Sequence, residues 1–112
     1  MIHDAGWPGC SIYAATKATV RSLAPSFSAD LLARRIRVNV LTPGVTETPI
    51  LDWPGMSDVE RLAGLEALRL RIPAGRIASP KEIAEAALFL GSATSSYMLG
   101  GELLLDGGRT TL

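Results

Sequence analysis

Two short strand-like runs with helix starts between them restrict the folds open to this chain more than any other feature. Ile36–Thr42 (IRVNVLT) is β-branched and alternating, and Pro43-Gly44 ends it. Glu102–Asp106 (ELLLD) stands between Gly100-Gly101 and Gly107-Gly108. Between the two runs, Ser57-Asp58-Val59-Glu60 and Ser79-Pro80-Lys81-Glu82 share the Ser-x-x-Glu spacing of a capping box. In that arrangement the Ser hydroxyl and the Glu carboxylate each satisfy an orphan amide at a helix start, and Pro80 suits the first helical position. The second box opens a helix that is apolar almost all round through Phe89 and Leu90, which predicts burial on more than one side. Strands separated by helices imply a parallel sheet with right-handed crossovers.

An earlier helix is predicted from Ser11 to about Arg35. At 100° per residue, Tyr13, Lys17, Val20, Ala24, Phe27 and Leu31 form one stripe, where a solvated lysine is not expected and Lys17 calls for a buried or cleft partner. Ala15, Ala18, Ser22, Ser26 and Ala29 opposite are all small, so a second helix or a second subunit can approach closely. Pro25 lies inside the pattern and is predicted to kink or interrupt it, since it removes an amide donor and crowds the preceding turn. A parallel sheet is normally covered on both faces and has several strands, yet only two are visible in 112 residues. The pattern therefore predicts a piece of a larger α/β domain.

Eleven Lys and Arg balance eleven Asp and Glu, so the chain lacks the cationic excess that tracks nucleic-acid phosphates or anionic lipid. Neither nucleic acid nor a membrane is expected as a partner. No apolar run approaches the ~20 residues of a membrane span, and the opening MIHDAGWPG does not read as a secretory signal. One cysteine, Cys10, and one histidine, His3, leave no internal disulfide and too few ligands for a structural zinc. A reducing compartment, the cytoplasm, is the expected setting. His3 reads as decoration of an irregular opening segment, and Cys10 as a buried or half-buried small apolar residue. Arg34, Arg35 and Arg37 read as the solvated cationic end of the first helix. Asn39 is expected to tie strand to loop, and Asp106 to organise the turn after the last strand.

Tyr13 and Lys17 carry the sharpest chemistry. One helical turn apart, they set a phenol beside an ammonium. A neighbouring cation favours phenolate, which brings such a group toward proton exchange at neutral pH and makes it a usable general acid or base. The same spacing arises often on ordinary surface helices.

Taken together, Tyr13-Ala14-Ala15-Thr16-Lys17-Ala18, Arg37-Val38-Asn39-Val40, Pro43-Gly44 with Thr46 and Thr48, Gly75-Arg76-Ile77-Ala78 with Pro80, Glu82, Ile83 and Ala84, and Asp106-Gly107-Gly108 resemble the C-terminal half of a short-chain dehydrogenase/reductase. The resemblance covers essentially residues 1–112 and follows the family's motif order. It implies an α/β fold: the C-terminal part of a doubly wound, parallel-sheet Rossmann-type domain without its N-terminal βαβ units. It also implies NAD or NADP as cofactor and a small carbonyl/alcohol substrate. Tyr13 would exchange the proton with the substrate oxygen, and Lys17 would hold the nicotinamide ribose hydroxyls and favour the phenolate. Pro43, Gly44, Val45 and Thr46 would lie beside the ring, and Thr48 would bond the carboxamide. Where Thr46 stands the family usually has an apolar β-branched residue. Residues 49–71, with Trp53 and Met56, would form the variable substrate segment.

The family's catalytic Ser and further Asn would fall before Met1, so neither Ser11 nor Asn39 is that residue. No glycine-rich turn for a pyrophosphate occurs in these residues. The expectation is a catalytic segment that is inactive as this chain alone. The alternative is a non-catalytic remnant or oligomerisation module, pairing as a homo-oligomer through the Tyr13–Lys17 helix and the last helix.

Overall fold

The computed structural model describes residues 8–52 and 54–112. His3 and Trp53 lie outside the described residues. Helix α1 spans Ser11–Leu31, strand β1 Val40–Pro43, helix α2 Asp58–Arg69, helix α3 Pro80–Gly91 and strand β2 Glu102–Leu105. Short 3-10 turns cover Leu32–Arg34, Pro49–Leu51 and Ala93–Ser95. The two strands pair in parallel, Val40 opposite Glu102 through Pro43 opposite Leu105. Both helices with capping boxes start where the spacing predicts, with Ser57 and Ser79 each accepting from the amide three residues on and Glu60 and Glu82 reaching back.

Pro25 does not interrupt α1, contrary to expectation. Gly100 comes close to the helix backbone here: a Cβ built on it would lie 3.0 Å from Pro25 Cα, and its φ of +65° suits glycine. One turn later, the Ser28 hydroxyl donates to the Val38 carbonyl at 2.8 Å and accepts from the Val38 amide at 3.3 Å. Helix α1 is thus fastened by Ala24 and Ser28, its two buried residues. Ala24 belongs to the predicted stripe, whose other members are less covered: Leu31 is half-buried and Tyr13, Lys17, Val20 and Phe27 are exposed. The opposite face of Ala15, Ala18, Ser22, Ser26 and Ala29 is exposed as well.

Strand β1 begins four residues later than the sequence pattern predicts. Residues 36–39 make scattered bonds rather than a ladder: Ile36 donates to the Leu31 carbonyl and Val38 accepts from the Gly100 amide, while side chains supply the rest. Asn39 donates to the Met98 carbonyl and accepts from the Gly101 amide, both at 2.9 Å, which is the strand-to-loop tie expected of it. Arg37 departs from its expected role as part of the solvated end of α1. Its guanidinium donates to the carbonyls of Leu90, Ser92 and Ser95 and to the Ser95 hydroxyl, each at 2.9 Å. It therefore closes the C-terminal end of α3, where orphan carbonyls and the negative end of the helix dipole favour a planar cation.

Among the described residues the buried apolar side chains are Ala24, Ile72 and Ala86. Helix α3 buries one side only, and Leu88 is 72% exposed, so burial on more than one side does not hold in this chain. A two-stranded sheet is too narrow to cover an all-round apolar helix. Arg37→Met removes the only cation on these carbonyls among the described residues and is expected to lower stability by about 2 kcal/mol, read from the urea unfolding midpoint.

Candidate functional site

Helix α1 and strand β1 run in opposite directions. Ser28 meets Val38 before the strand, while Arg21, two turns earlier in the helix, pairs with Glu102 at 2.7 Å. The other oxygen of Glu102 accepts from the Thr42 hydroxyl, also at 2.7 Å, near the strand's end. Lys17 stands one further turn toward the start of α1, about 6 Å along the axis from Arg21. The loop that leaves β1 lies at the C-terminal edge of the parallel sheet, where open α/β sheets place their ligands.

The structure brings Tyr13 and Lys17 together. Lys17 Nζ stands 5.4 Å from the centroid of the Tyr13 ring, and Tyr13 is 50% exposed. The buried or cleft partner expected for Lys17 is not found: Lys17 is exposed, and its neighbour is the half-exposed phenol one turn away, at a distance suited to cation–π attraction. Pro43, Gly44, Val45, Thr46 and Thr48 form a second group. Pro43 closes β1, and the Gly44 amide donates to the Leu105 carbonyl at 2.6 Å. A Cβ on Gly44 would fall 2.6 Å from Asp106 Cα, so only glycine lets the two strand ends converge. Thr46 pairs with Ala78 in a parallel bridge, and its hydroxyl donates to the Gly44 carbonyl at 3.2 Å. Thr48 leads into the Pro49–Leu51 turn, its hydroxyl 3.4 Å from the Thr46 carbonyl. Among the described residues no hydrogen bond joins this loop to Tyr13 or Lys17.

Asp106 is buried where the two strand ends meet. Its carboxylate accepts from the Gly108 amide and from the Thr110 amide and hydroxyl, at 2.9, 2.9 and 2.6 Å. Burial pushes this carboxyl up, but the Thr110 hydroxyl and the amides of Gly108, Thr110 and Arg109 outweigh it and hold it below the usual aspartate value. Asp106 organises the turn after β2, as expected. On the other side of the loop, Arg76 grips Glu82 through both guanidinium nitrogens, at 2.9 and 2.6 Å. Arg76 first, then the Ser79 amide, holds the Glu82 carboxyl down at about 2.

Several of these supports carry no sequence signal. The Arg21–Glu102–Thr42 contact joins residues 60 or more apart and follows no spacing rule. Glu82 is legible as a capping residue, whereas its fork to Arg76 shows in the sequence only as a cation three residues before the cap.

Two tests follow from this geometry. Gly44→Ala is expected to cost about 2 kcal/mol or more, because the strand ends must separate to admit a methyl group. Asp106 has a lowered value in the fold, so its contribution is present above 3.8, the ordinary aspartate value, and is lost as pH falls through the folded one. The difference in urea midpoint between the wild type and Asp106→Asn is expected to shrink steadily on acidification below that value.

Comparison with known proteins agrees with this arrangement. A family model described as enoyl-(acyl carrier protein) reductase matches residues 1–110. An uncharacterised short-chain type dehydrogenase/reductase of Sinorhizobium fredii is 43% identical over 105 residues, covering 92% of this chain and 18% of that protein. The 2,3-dihydro-2,3-dihydroxybenzoate dehydrogenase of Escherichia coli is 40% identical over 106 residues, covering 91% of this chain and 43% of the other. Among solved structures, a short-chain dehydrogenase family protein of Francisella tularensis superposes with a TM-score of 0.83 at 30% identity, over 96% of this chain and 47% of that one. The chain thus spans less than half the length of the relatives it matches. Its parallel strands and flanking helices are part of a Rossmann-type α/β fold, and the chain belongs to the short-chain dehydrogenase/reductase family, matching its C-terminal half.

Proposed function

We propose that residues 1–112 form part of one Rossmann-type domain and supply the catalytic segment of an NAD(P)-dependent oxidoreductase that interconverts a carbonyl and an alcohol. The observation that carries this reading is the Tyr13–Lys17 pair, a phenol and an ammonium side by side on an exposed helix face. The residues suit the nicotinamide end of the cofactor. Lys17 offers three donors to the ribose hydroxyls, and Pro43, Gly44, Val45 and Thr46 would lie beside the ring. Thr48 would hold the carboxamide. The glycine-rich turn that would take the pyrophosphate is not among these residues.

Bound nicotinamide supplies or accepts the hydride. Tyr13 Oη gives its proton to the substrate oxygen as a carbonyl is reduced, and takes it back when an alcohol is oxidised. Lys17, its ammonium 5.4 Å from the Tyr13 ring centroid, would hold the ribose hydroxyls beside the phenol. The segment 49–71, braced by the Arg61–Asp52 ion pair, would face the remainder of the substrate.

This chain by itself is expected to bind NADH or NADPH weakly and to turn over little, because its residues hold only one end of the dinucleotide. Fluorescence titration checks this, and micromolar affinity or robust turnover overturns it. In any preparation that does turn over, Tyr13→Phe is expected to lower kcat by about 10²–10⁴-fold with cofactor affinity retained. Unchanged kcat removes Tyr13 from the mechanism.

The exposure of Val20 at 56%, Phe27 at 46% and Leu88 at 72% favours one other reading, a module that pairs with a second copy or a longer relative through α1 and α3. Light scattering separates the two. A mass that halves with Ala18→Arg supports pairing through α1, while a monomer indifferent to it does not.

A further inference from the structure

The segment that carries Thr46 is not backed by close packing. A cavity of about 130 Å³ adjoins it, walled by Val45, Ala78 and Leu105 and by the side chains of Arg76 and Glu82. Hydrogen bonds arranged as two nested brackets set its position instead. In the inner bracket, the Ala78 amide donates to the Val45 carbonyl at 3.1 Å, and the Glu47 amide donates to the Ala78 carbonyl at 2.9 Å. A single residue therefore holds both neighbours of Thr46. In the outer bracket, Glu82 grips the two residues that flank the Ile77-Ala78 pair. Its Oε2 accepts from the Ser79 amide at 2.8 Å and from an Arg76 nitrogen at 2.9 Å, and its Oε1 accepts from the other Arg76 nitrogen at 2.6 Å.

Starting a helix requires only one of those oxygens. Helix α2 shows this, since Glu60 Oε2 takes both the amide and the hydroxyl of Ser57. The second oxygen of Glu82 is thus spent on the fork to Arg76, and a bidentate guanidinium–carboxylate pair fixes direction as well as distance. We propose that Arg76 and Glu82 are positioning residues whose fork holds segment 45–47 at the end of the sheet through Ala78, a role separate from starting α3. Its bearing on nicotinamide contact rests on the functional reading above.

The fork is exposed, which limits its strength, yet the segment it governs has a cavity on one side and little else to hold it. Breaking it frees residues 75–78 to drift and loosens the two bonds to Val45 and Glu47, while the capping box keeps α3 in place. Glutamine retains a capping oxygen, so Glu82→Gln removes the charged fork and leaves the cap.

The test measures amide hydrogen exchange by NMR in Glu82→Gln, Arg76→Gln, the double variant and Glu60→Gln, the last altering the other capping box without an arginine fork. Exchange at Ala78 and Glu47 is expected to quicken about three- to tenfold in either single fork variant. The double variant should show no further gain, and Glu60→Gln should leave both amides unchanged. The proposal is overturned by unchanged exchange at Ala78 and Glu47. It is equally overturned by an acceleration spread evenly along α3, which would mean that Glu82 only caps the helix. NADH titration, followed through the Thr46 and Thr48 amides, separates this proposal from the functional reading. Weaker binding in the fork variants supports both, whereas quickened exchange with no NADH response in any protein leaves the positioning role intact and removes nicotinamide from this loop.

Discussion

Four residues of parallel ladder, joining segments some sixty positions apart, hold together everything else in this chain. So short a ladder closes a long loop for little enthalpy, and it survives because side chains extend it at both ends. Before its first rung, Asn39 and Ser28 take over the backbone's bonding, and Val38 accepts from Gly100. After its last rung, Gly44 comes against Asp106 so closely that no side chain fits, and the amide of Gly44 adds one more bond. Glu102 then ties α1 to both strands. The helix that carries Tyr13 and Lys17 is joined to the strands through this ladder and its flanking bonds.

The parts of the fold legible in the sequence are those decided within one turn of chain. Both capping boxes, the start of α1, the turn built by Asp106 and the phenol–ammonium pair depend on residues a few positions apart, and each forms as its spacing predicts. The parts that are not legible depend on distant partners. Arg37 reads as the end of its own helix because nothing nearby reveals that α3 will end beside it. Pro25 reads as a breaker from its missing amide and its crowding of the preceding turn, yet α1 runs through it. The stripe on α1 is covered only in part: Ala24 on it is buried with Ser28, while Tyr13, Lys17, Val20 and Phe27 stay exposed because two strands are too narrow to reach them.

The candidate site divides in the same way. Tyr13 and Lys17 are legible alone, while the Gly44–Thr48 loop gains meaning only from its family resemblance and from the bonds that shape it. Its supports come from two segments, the end of β2 at Leu105 and Asp106 and the stretch at Ala78. The loop is therefore defined mainly by hydrogen bonds. A site of this kind tolerates change in its neighbours' bulk better than change in their donors and acceptors.

Among the described residues each strand of the sheet has a single neighbour, so each also presents an outer row of amides and carbonyls. The order of assembly follows from this. The capped helices are local and quick to form, while the ladder must wait for an encounter across the length of the chain. Until then, and along its outer rims afterwards, the sheet is a template for any extended segment that offers a matching row. The same two strands that align the candidate site thus make crowding a hazard for this polypeptide, one that a third strand or a charged side chain on the rim would remove.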